Sequence, residues 1–416
     1  MKEGMMMDAI RECCAGMDVH QETVVVCILK GPLDIKPRPQ IRTFGTTTKE
    51  LLQLQDWLAE YDCKEVAMES TGVLWKPIWN VLESTCNLIL ANPKHIKNLP
   101  GRKTDIKDAQ WIAQLHRCGL IEASMVPTQN IRDLRDLTRY RRKLVQAITS
   151  EKNRIHKILQ DGNIKLTTFM SDVFGVSGRA LLQKLINGEV LDEPEVRALV
   201  KAKLKRKIPQ LLDALNGKLR LHHREMMSYH WEHIEYLEKQ VEQLEAKIDS
   251  CVQDYQNEVG WLDSIPGIDE HTAAAIFAEI GPNVTDYFPT DTQFASWAGI
   301  CPGNNESAGK KKSTKILQGN KQLKSSLCQA AWANARADNR IGQFYRQVQK
   351  RRGEKKAIVA TGHLMLRMIY AMMRDKTEYK EIDVHGGTSQ EKILKYYLKQ
   401  IQGMGFEIQI NTKEVS

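Results

Sequence analysis

Gly16-Met17-Asp18-Val19-His20, with Thr23-Val24-Val25-Val26 just beyond it, and later Val66-Ala67-Met68-Glu69-Ser70-Thr71-Gly72 decide how the first part of this chain is read. Each is a short apolar stretch carrying one acid. The β-branched run after Asp18 reads as a strand within Met17 to Leu29, with Asp18 at its head and Gly31-Pro32 ending it. Ile41 to Thr46 reads as a paired strand. Thr47 or Thr48 then caps a helix with Leu51, Leu52, Leu54 and Leu58 on its inner face. Glu65 to Glu69 is a short strand that turns at Ser70-Thr71-Gly72 into a helix bearing Trp75, Ile78 and Leu82. Asn87 to Ala91 is a further strand stopped by Pro93, and Asp105 to Gly119 a helix with Trp111, Ile112 and Leu115 inward. Strands alternating with helices predict an α/β layer fold, helices lying over a sheet.

Downstream the pattern becomes helical. From Ile131 to Ile164, Leu137, Leu144, Ile148, Ile155 and Ile158 recur near a seven-residue period among many Arg and Lys, which predicts a long basic helix ending near Gly162. Thr167 to Leu219 reads as irregular helix. Ile234, Leu237, Val241, Leu244 and Ile248 are spaced 3, 4, 3, 4 and predict a short coiled-coil segment. It either folds back on the first helix or pairs with another subunit. Trp261 to Lys380 reads as a second, helix-rich unit.

The 416 residues suffice for two or three domains of ~150 residues, and 42% of them are hydrophobic, enough for a core. No apolar run approaches the ~18 residues of a membrane-spanning helix, and Met1 to Cys14 carries charges where a signal peptide needs an apolar stretch. Nine scattered cysteines without a Cys-x-x-Cys pair point to reduced thiols in the cytosol. A net charge of +9 favours a polyanionic partner.

The acids carry the chemistry. Asp105 and Asp108, three apart at a helix start in Lys103-Thr104-Asp105-Ile106-Lys107-Asp108-Ala109, share a helical face and favour its N-terminal dipole. Asp18, Glu69 and this pair can converge at one edge of a sheet. Carboxylates crowded together repel, and a hard divalent cation between them removes the conflict. Two such cations ~3.5–4 Å apart suit in-line phosphoryl displacement. Taken singly, each acid also fits a turn, a strand end or a helix cap.

These motifs resemble the RuvC-like catalytic domain of the DEDD transposases of the bacterial insertion-sequence family IS110, over about residues 12 to 160. The resemblance implies an RNase H-like sheet with flanking helices and Mg²⁺, or Mn²⁺, bound by Asp18, Glu69, Asp105 and Asp108. It also divides the chain. Residues 12–165 would be the RuvC-like domain with its long basic helix, 166–258 a helical coiled-coil linker, 259–380 a helix-rich C-terminal transposase domain, and 381–416 a tail.

Ser307 lies in Pro302-Gly303-Asn304-Asn305-Glu306-Ser307-Ala308-Gly309-Lys310, followed by Lys311, Lys312 and Lys315, with no acid from Ala308 to Lys324. A serine in a Gly-rich loop is ordinarily a loop residue. The pattern Pro302-x-x-x-x-Ser307-Ala308-Gly309, however, resembles the segment of the same family that supplies a nucleophilic serine. That implies a covalent phosphoserine link to DNA at Ser307, with Ser313 the weaker match because it lacks the preceding Pro and the following Gly. Upstream, Ile265-Pro266-Gly267-Ile268 resembles a helix-hairpin-helix turn, whose glycine permits backbone amides to meet a phosphate.

Basic residues complete the set. Arg102, Lys103 and Lys107 flank the acids, Arg141 and Arg142 stand in a cluster on the long helix, and Lys310, Lys311, Lys312 and Lys315 follow the serine. All are candidate nucleic-acid contacts, and a solvated helix face is the competing reading for the long helix. The resemblance further implies DNA as donor and target, a structured guide RNA encoded by the element, a homo-oligomer (dimer or tetramer), no membrane, and a bacterial cytoplasm with nucleoid association. A metal-only junction resolvase and a non-catalytic nucleic-acid scaffold are the two alternatives.

Overall fold

One five-stranded sheet organises the first of two units, Met1–Pro127; the second is Thr128–Ser416. The computed structural model describes residues 8–69, 72–92, 105–301, 305–307, 310–313, 316, 318–381, 398 and 401–402, with backbone alone at 105–107, 202, 305–307 and 310–313.

The strands are β1 (Cys13–Val19), β2 (Thr23–Lys30), β3 (Gln40–Gly45), β4 (Glu65–Glu69) and β5 (Asn87–Ala91), in the order β3-β2-β1-β4-β5. β1 pairs antiparallel with β2 and parallel with β4; β3 is antiparallel to β2 and β5 parallel to β4. The single strand expected within Met17 to Leu29 is therefore two. Polar His20, Gln21 and Glu22 interrupt the apolar run, and the His20 amide donates to the Thr23 carbonyl at 2.9 Å to close a hairpin. Asp18 consequently stands next to last in β1 rather than at a strand head.

β1 and β2 are buried along nearly their whole length because both faces of the sheet are covered. On one face Ala15, Met17, Val19, Val66 and Met68 pack against helices Thr48–Glu60 and Trp75–Leu82. Leu51, Leu54 and Leu58 of the first helix turn inward as expected, joined by Trp57; Leu52 falls off that stripe and is exposed. The opposite face holds Cys14, Val25, Cys27 and Leu29 against Ala109 and Ala113 of helix Asp105–Arg117.

In the second unit the long helix Gln129–Asp161 lies antiparallel to helix Leu221–Val252. His223 meets Asp161, His230 and His233 meet Glu151, and Glu245 meets Arg141. Leu144, Ile148, Ile155 and Leu159 pack with Met227, Trp231, Ile234 and Leu237, and the short helices between residues 166 and 215 close the same core. The heptad residues thus serve a fold-back within the chain. Among the described residues after 252 the elements are helical apart from a small hairpin, β6 (Asn305–Ser307) with β7 (Lys310–Ser313). Among the described residues no helix is long and apolar enough to cross a membrane.

Candidate active site

Strand alternation determines which way the acids face. Ala15, Met17 and Val19 enter the core beneath helices Thr48–Glu60 and Trp75–Leu82, so Cys14, Gly16 and Asp18 face the other side, where helix Asp105–Arg117 lies. That helix approaches at backbone distance. The Cys14 thiol reaches the Ala113 carbonyl at 3.5 Å, and a Cβ placed on Gly16 would stand 2.2 Å from the Ala113 nitrogen and 2.5 Å from the Ala109 oxygen. The contacts run in reverse along the two elements. The Ile10 amide donates to Arg117, Cys14 meets Ala113, and Gly16 meets Ala113 and Ala109. The helix therefore runs antiparallel to β1 and begins, at Asp105 and Asp108, toward the Asp18 end.

β4 brings the fourth carboxylate. The last registered pair of the parallel ladder is Met17 with Met68, so Asp18 and Glu69 follow at matching positions on strands spaced about 4.8 Å apart. Val66 and Met68 point into the core, which turns Glu65, Ala67 and Glu69 toward the face of helix Asp105–Arg117. Glu65, at the other end of β4, accepts from Arg11 at 3.4 Å and stands 3.9 Å from His116 Nε2, beside the helix C-terminus. Register, alternation and helix direction together put Asp18, Glu69 and the start of helix Asp105–Arg117 at one edge of the sheet.

Asp18 is 7% exposed, and His20 Nε2 lies 3.2 Å from its Oδ2. The backbone at Asp105 opens the helix; its side chain, Lys107's side chain, Arg102 and Lys103 lie outside the described residues. Among the described residues no three His, Cys, Asp or Glu side chains already stand together as a metal cage. The donor chemistry nevertheless fits a hard cation, which takes carboxylate oxygens and retains waters. Burial pushes Cys14 and Cys27, the thiols on that face, up to about 12.

Ser307 ends β6 and pairs with Lys310, the first residue of β7; Glu306 pairs with Lys311 and Asn305 with Ser313. Lys312 also lies on β7, and Lys315 is outside the described residues. The chain on either side of this hairpin is drawn together. A Cβ on Gly319 would meet the Gly299 nitrogen at 2.3 Å and the Trp297 oxygen at 2.5 Å, so backbone touches backbone there and only glycine fits. Asn320 follows, accepting from the amides of Gln322 and Leu323 as the cap of helix Lys321–Ala333.

The basic cluster of the long helix is largely engaged by this part of the fold. Arg139 forms a bidentate pair with Glu279, at 2.7 and 2.8 Å, and Arg135 donates to the Ala278 and Glu279 carbonyls. Burial opposes the charge on Arg139, but the bonds to Glu279 outweigh it and hold the guanidinium pKa above its ordinary value. Arg141 pairs with Glu245 at 2.7 Å, and Arg142 bonds Gln322 and Ser325. Glu279 and Asn320 drew no functional reading from sequence, although both stand in stretches rich in glycine turns. The only sequence sign of the network is a high density of Arg on a helix that must also pack.

Two family models match the chain. A DEDD transposase model of IS110 type, described as a transposase, matches residues 15–164, and one described as the transposase IS116/IS110/IS902 family matches residues 260–346. Together they span more than half of the sequence. The chain belongs to the IS110 family of transposases. DNA is accordingly its partner, and transposition of an insertion sequence its function. The first match contains all four acids and runs through the long helix; the second contains Ser307, Glu279 and Asn320. No curated protein matches the chain.

Proposed function

We propose that this transposase cleaves and rejoins DNA strands through a covalent phosphoserine at Ser307, assisted by a divalent cation held by Asp18, Glu69, Asp105 and Asp108. One observation carries the reading: Asp18 and Glu69 stand at matching positions on neighbouring parallel strands, facing the helix that opens with Asp105 and Asp108. The sheet order, antiparallel on one side of β1 and parallel on the other, supports a RuvC-like, RNase H-like assignment for the first unit.

Bound by those carboxylates, Mg²⁺ or Mn²⁺ would lower the pKa of a coordinated hydroxyl and offset charge on the phosphate. The serine's part is a transesterification. Its oxygen bonds to phosphorus and the P–O bond to the leaving strand breaks. The serine proton accounts for the hydroxyl released on that strand. Attack by a hydroxyl of another strand reverses the step, joins a new pair of ends and restores Ser307, so no energy-rich cofactor is consumed. Lys310, which pairs with Ser307, and Lys311, Lys312 and Lys315 place positive charge where phosphates must approach. Arg102, Lys103 and Lys107 would do the same beside the acids, and Arg141 and Arg142 have donors beyond those used among the described residues. A structured RNA from the element, selecting donor and target DNA by base pairing, suits a protein whose basic surfaces hold backbone rather than read bases. A dimer or tetramer supplies the several active sites that strand exchange requires.

The test uses a plasmid carrying the element's ends, RNA transcribed from the element, and Mg²⁺. Ser307→Ala and Asp18→Asn should each lower cleavage by at least about a thousandfold. Continued cutting by Ser307→Ala would make the protein a metal-only nuclease. Unchanged product and Mg²⁺ dependence in Asp18→Asn would remove the acids from the chemistry.

A further inference from the structure

We propose that Glu279 is a positioning residue that pins the base of the serine hairpin to the long basic helix; the inference rests on the reading of Ser307 as nucleophile. Glu279 is 1% exposed, and every bond described for its carboxylate goes to one of two places. On one side are Arg139, at 2.7 and 2.8 Å, and Arg135, at 3.6 Å, both from helix Gln129–Asp161. On the other is Asn320, whose Nδ2 donates to Oε2 at 2.6 Å. Asn320 is the residue after Gly319, where the chain leaving the hairpin presses on the Trp297–Gly299 backbone that enters it.

The Asn320 side chain therefore does two things at once. Its Oδ1 caps helix Lys321–Ala333 and its Nδ2 holds Glu279. A carboxylate this deeply buried is costly unless it is fully paired, and here pairing requires the hairpin base and the long helix to be in place together. Arg142 adds a second tie to the same segment through Gln322 and Ser325. A two-stranded hairpin is marginal in isolation, so the direction of a nucleophile it carries depends on what holds its base. An error of about 1 Å in its placement can cost two orders of magnitude in rate.

The experiment uses the full chain with the element-end plasmid and element RNA. It compares Glu279→Gln, Asn320→Ser, the double variant and Ser307→Ala. Asn320→Ser retains a capping oxygen and deletes only the reach to Glu279, so it serves even if Glu279→Gln fails to fold. At saturating DNA the rate constant for covalent adduct formation should fall about ten- to a hundredfold in either single variant, with DNA affinity changed less than about twofold. Amide exchange across residues 305–313 should quicken while the β1–β5 sheet is unaffected. The double variant should lose no more than Glu279→Gln alone, because both act through one bond. Adduct rates within about twofold of the parent in both single variants, or unchanged exchange in the hairpin, would overturn the proposal. Adduct formation by Ser307→Ala would instead overturn the assignment of the nucleophile, and the exchange arm would still decide whether Glu279 pins the hairpin.

Discussion

At the scale of single residues, Gly16 does most to place the acids. Its missing side chain lets helix Asp105–Arg117 lie on β1 with backbone against backbone, and any Cβ would meet the Ala113 nitrogen at 2.2 Å. Gly16→Ala should destabilise the first unit by about 1–3 kcal/mol through overpacking, read by denaturant unfolding. It should also displace the helix that carries Asp105 and Asp108; an unaffected midpoint would show that the contact relaxes freely. His116 is a second such position. It is 1% exposed, and burial, then the neighbouring Arg11, lower its pKa to about 4 against the opposing pull of Glu65. The unfolded chain takes up a proton near pH 6.5 while the folded chain does not until about 4, so the unfolded state binds more protons in between. The first unit should keep its full stability above pH 6.5 and lose up to about 1.4 kcal/mol per unit as the pH falls toward 4. His116→Leu should flatten that part of the pH–stability curve, and an equally steep curve in the variant would place the acid sensitivity elsewhere.

At the scale of elements, the antiparallel pair Gln129–Asp161 and Leu221–Val252 holds the second unit together. Ile234 is fully buried in it, so Ile234→Ala should cost about 2–5 kcal/mol and lower the melting transition of that unit. A cost under about 1 kcal/mol would mean that the seam is loose. These two helices are legible in the sequence because apolar residues at heptad spacing form one stripe on a helix and would scatter over both faces of a strand. β4 and β5 are legible because each is a short apolar run between clear turn residues. The boundary between β1 and β2 is not. Cys13-Cys14-Ala15-Gly16 has no β-branched residue, and only the hairpin at His20 to Thr23 shows that the run is two strands. The order of the acids along the chain is plain from sequence. That Asp18, Glu69 and the start of helix Asp105–Arg117 share one edge is not, because it depends on a parallel register between strands some fifty residues apart and on a helix whose close approach a glycine permits. The Arg-rich face of the long helix reads as a nucleic-acid surface. Charge density alone does not reveal that Glu245, Glu279 and Gln322, more than a hundred residues away, meet it.

At the scale of the whole molecule, the proposed reaction needs two parts from different units of the chain: carboxylates at the edge of a sheet and a serine on a hairpin. Neither suffices. The acids alone would activate water and leave a free end, and no histidine lies near the serine in sequence. If they serve one reaction, removing either must abolish the same intermediate. The decisive measurement is to incubate the protein with element ends, element RNA and Mg²⁺, trap the covalent protein–DNA species under denaturing conditions, and map the modified residue by mass spectrometry. The predicted result is a nucleotide remnant on Ser307, absent from Ser307→Ala and from Asp18→Asn alike. A remnant on another residue, cleavage with no covalent species, or full adduct formation by Asp18→Asn would contradict it.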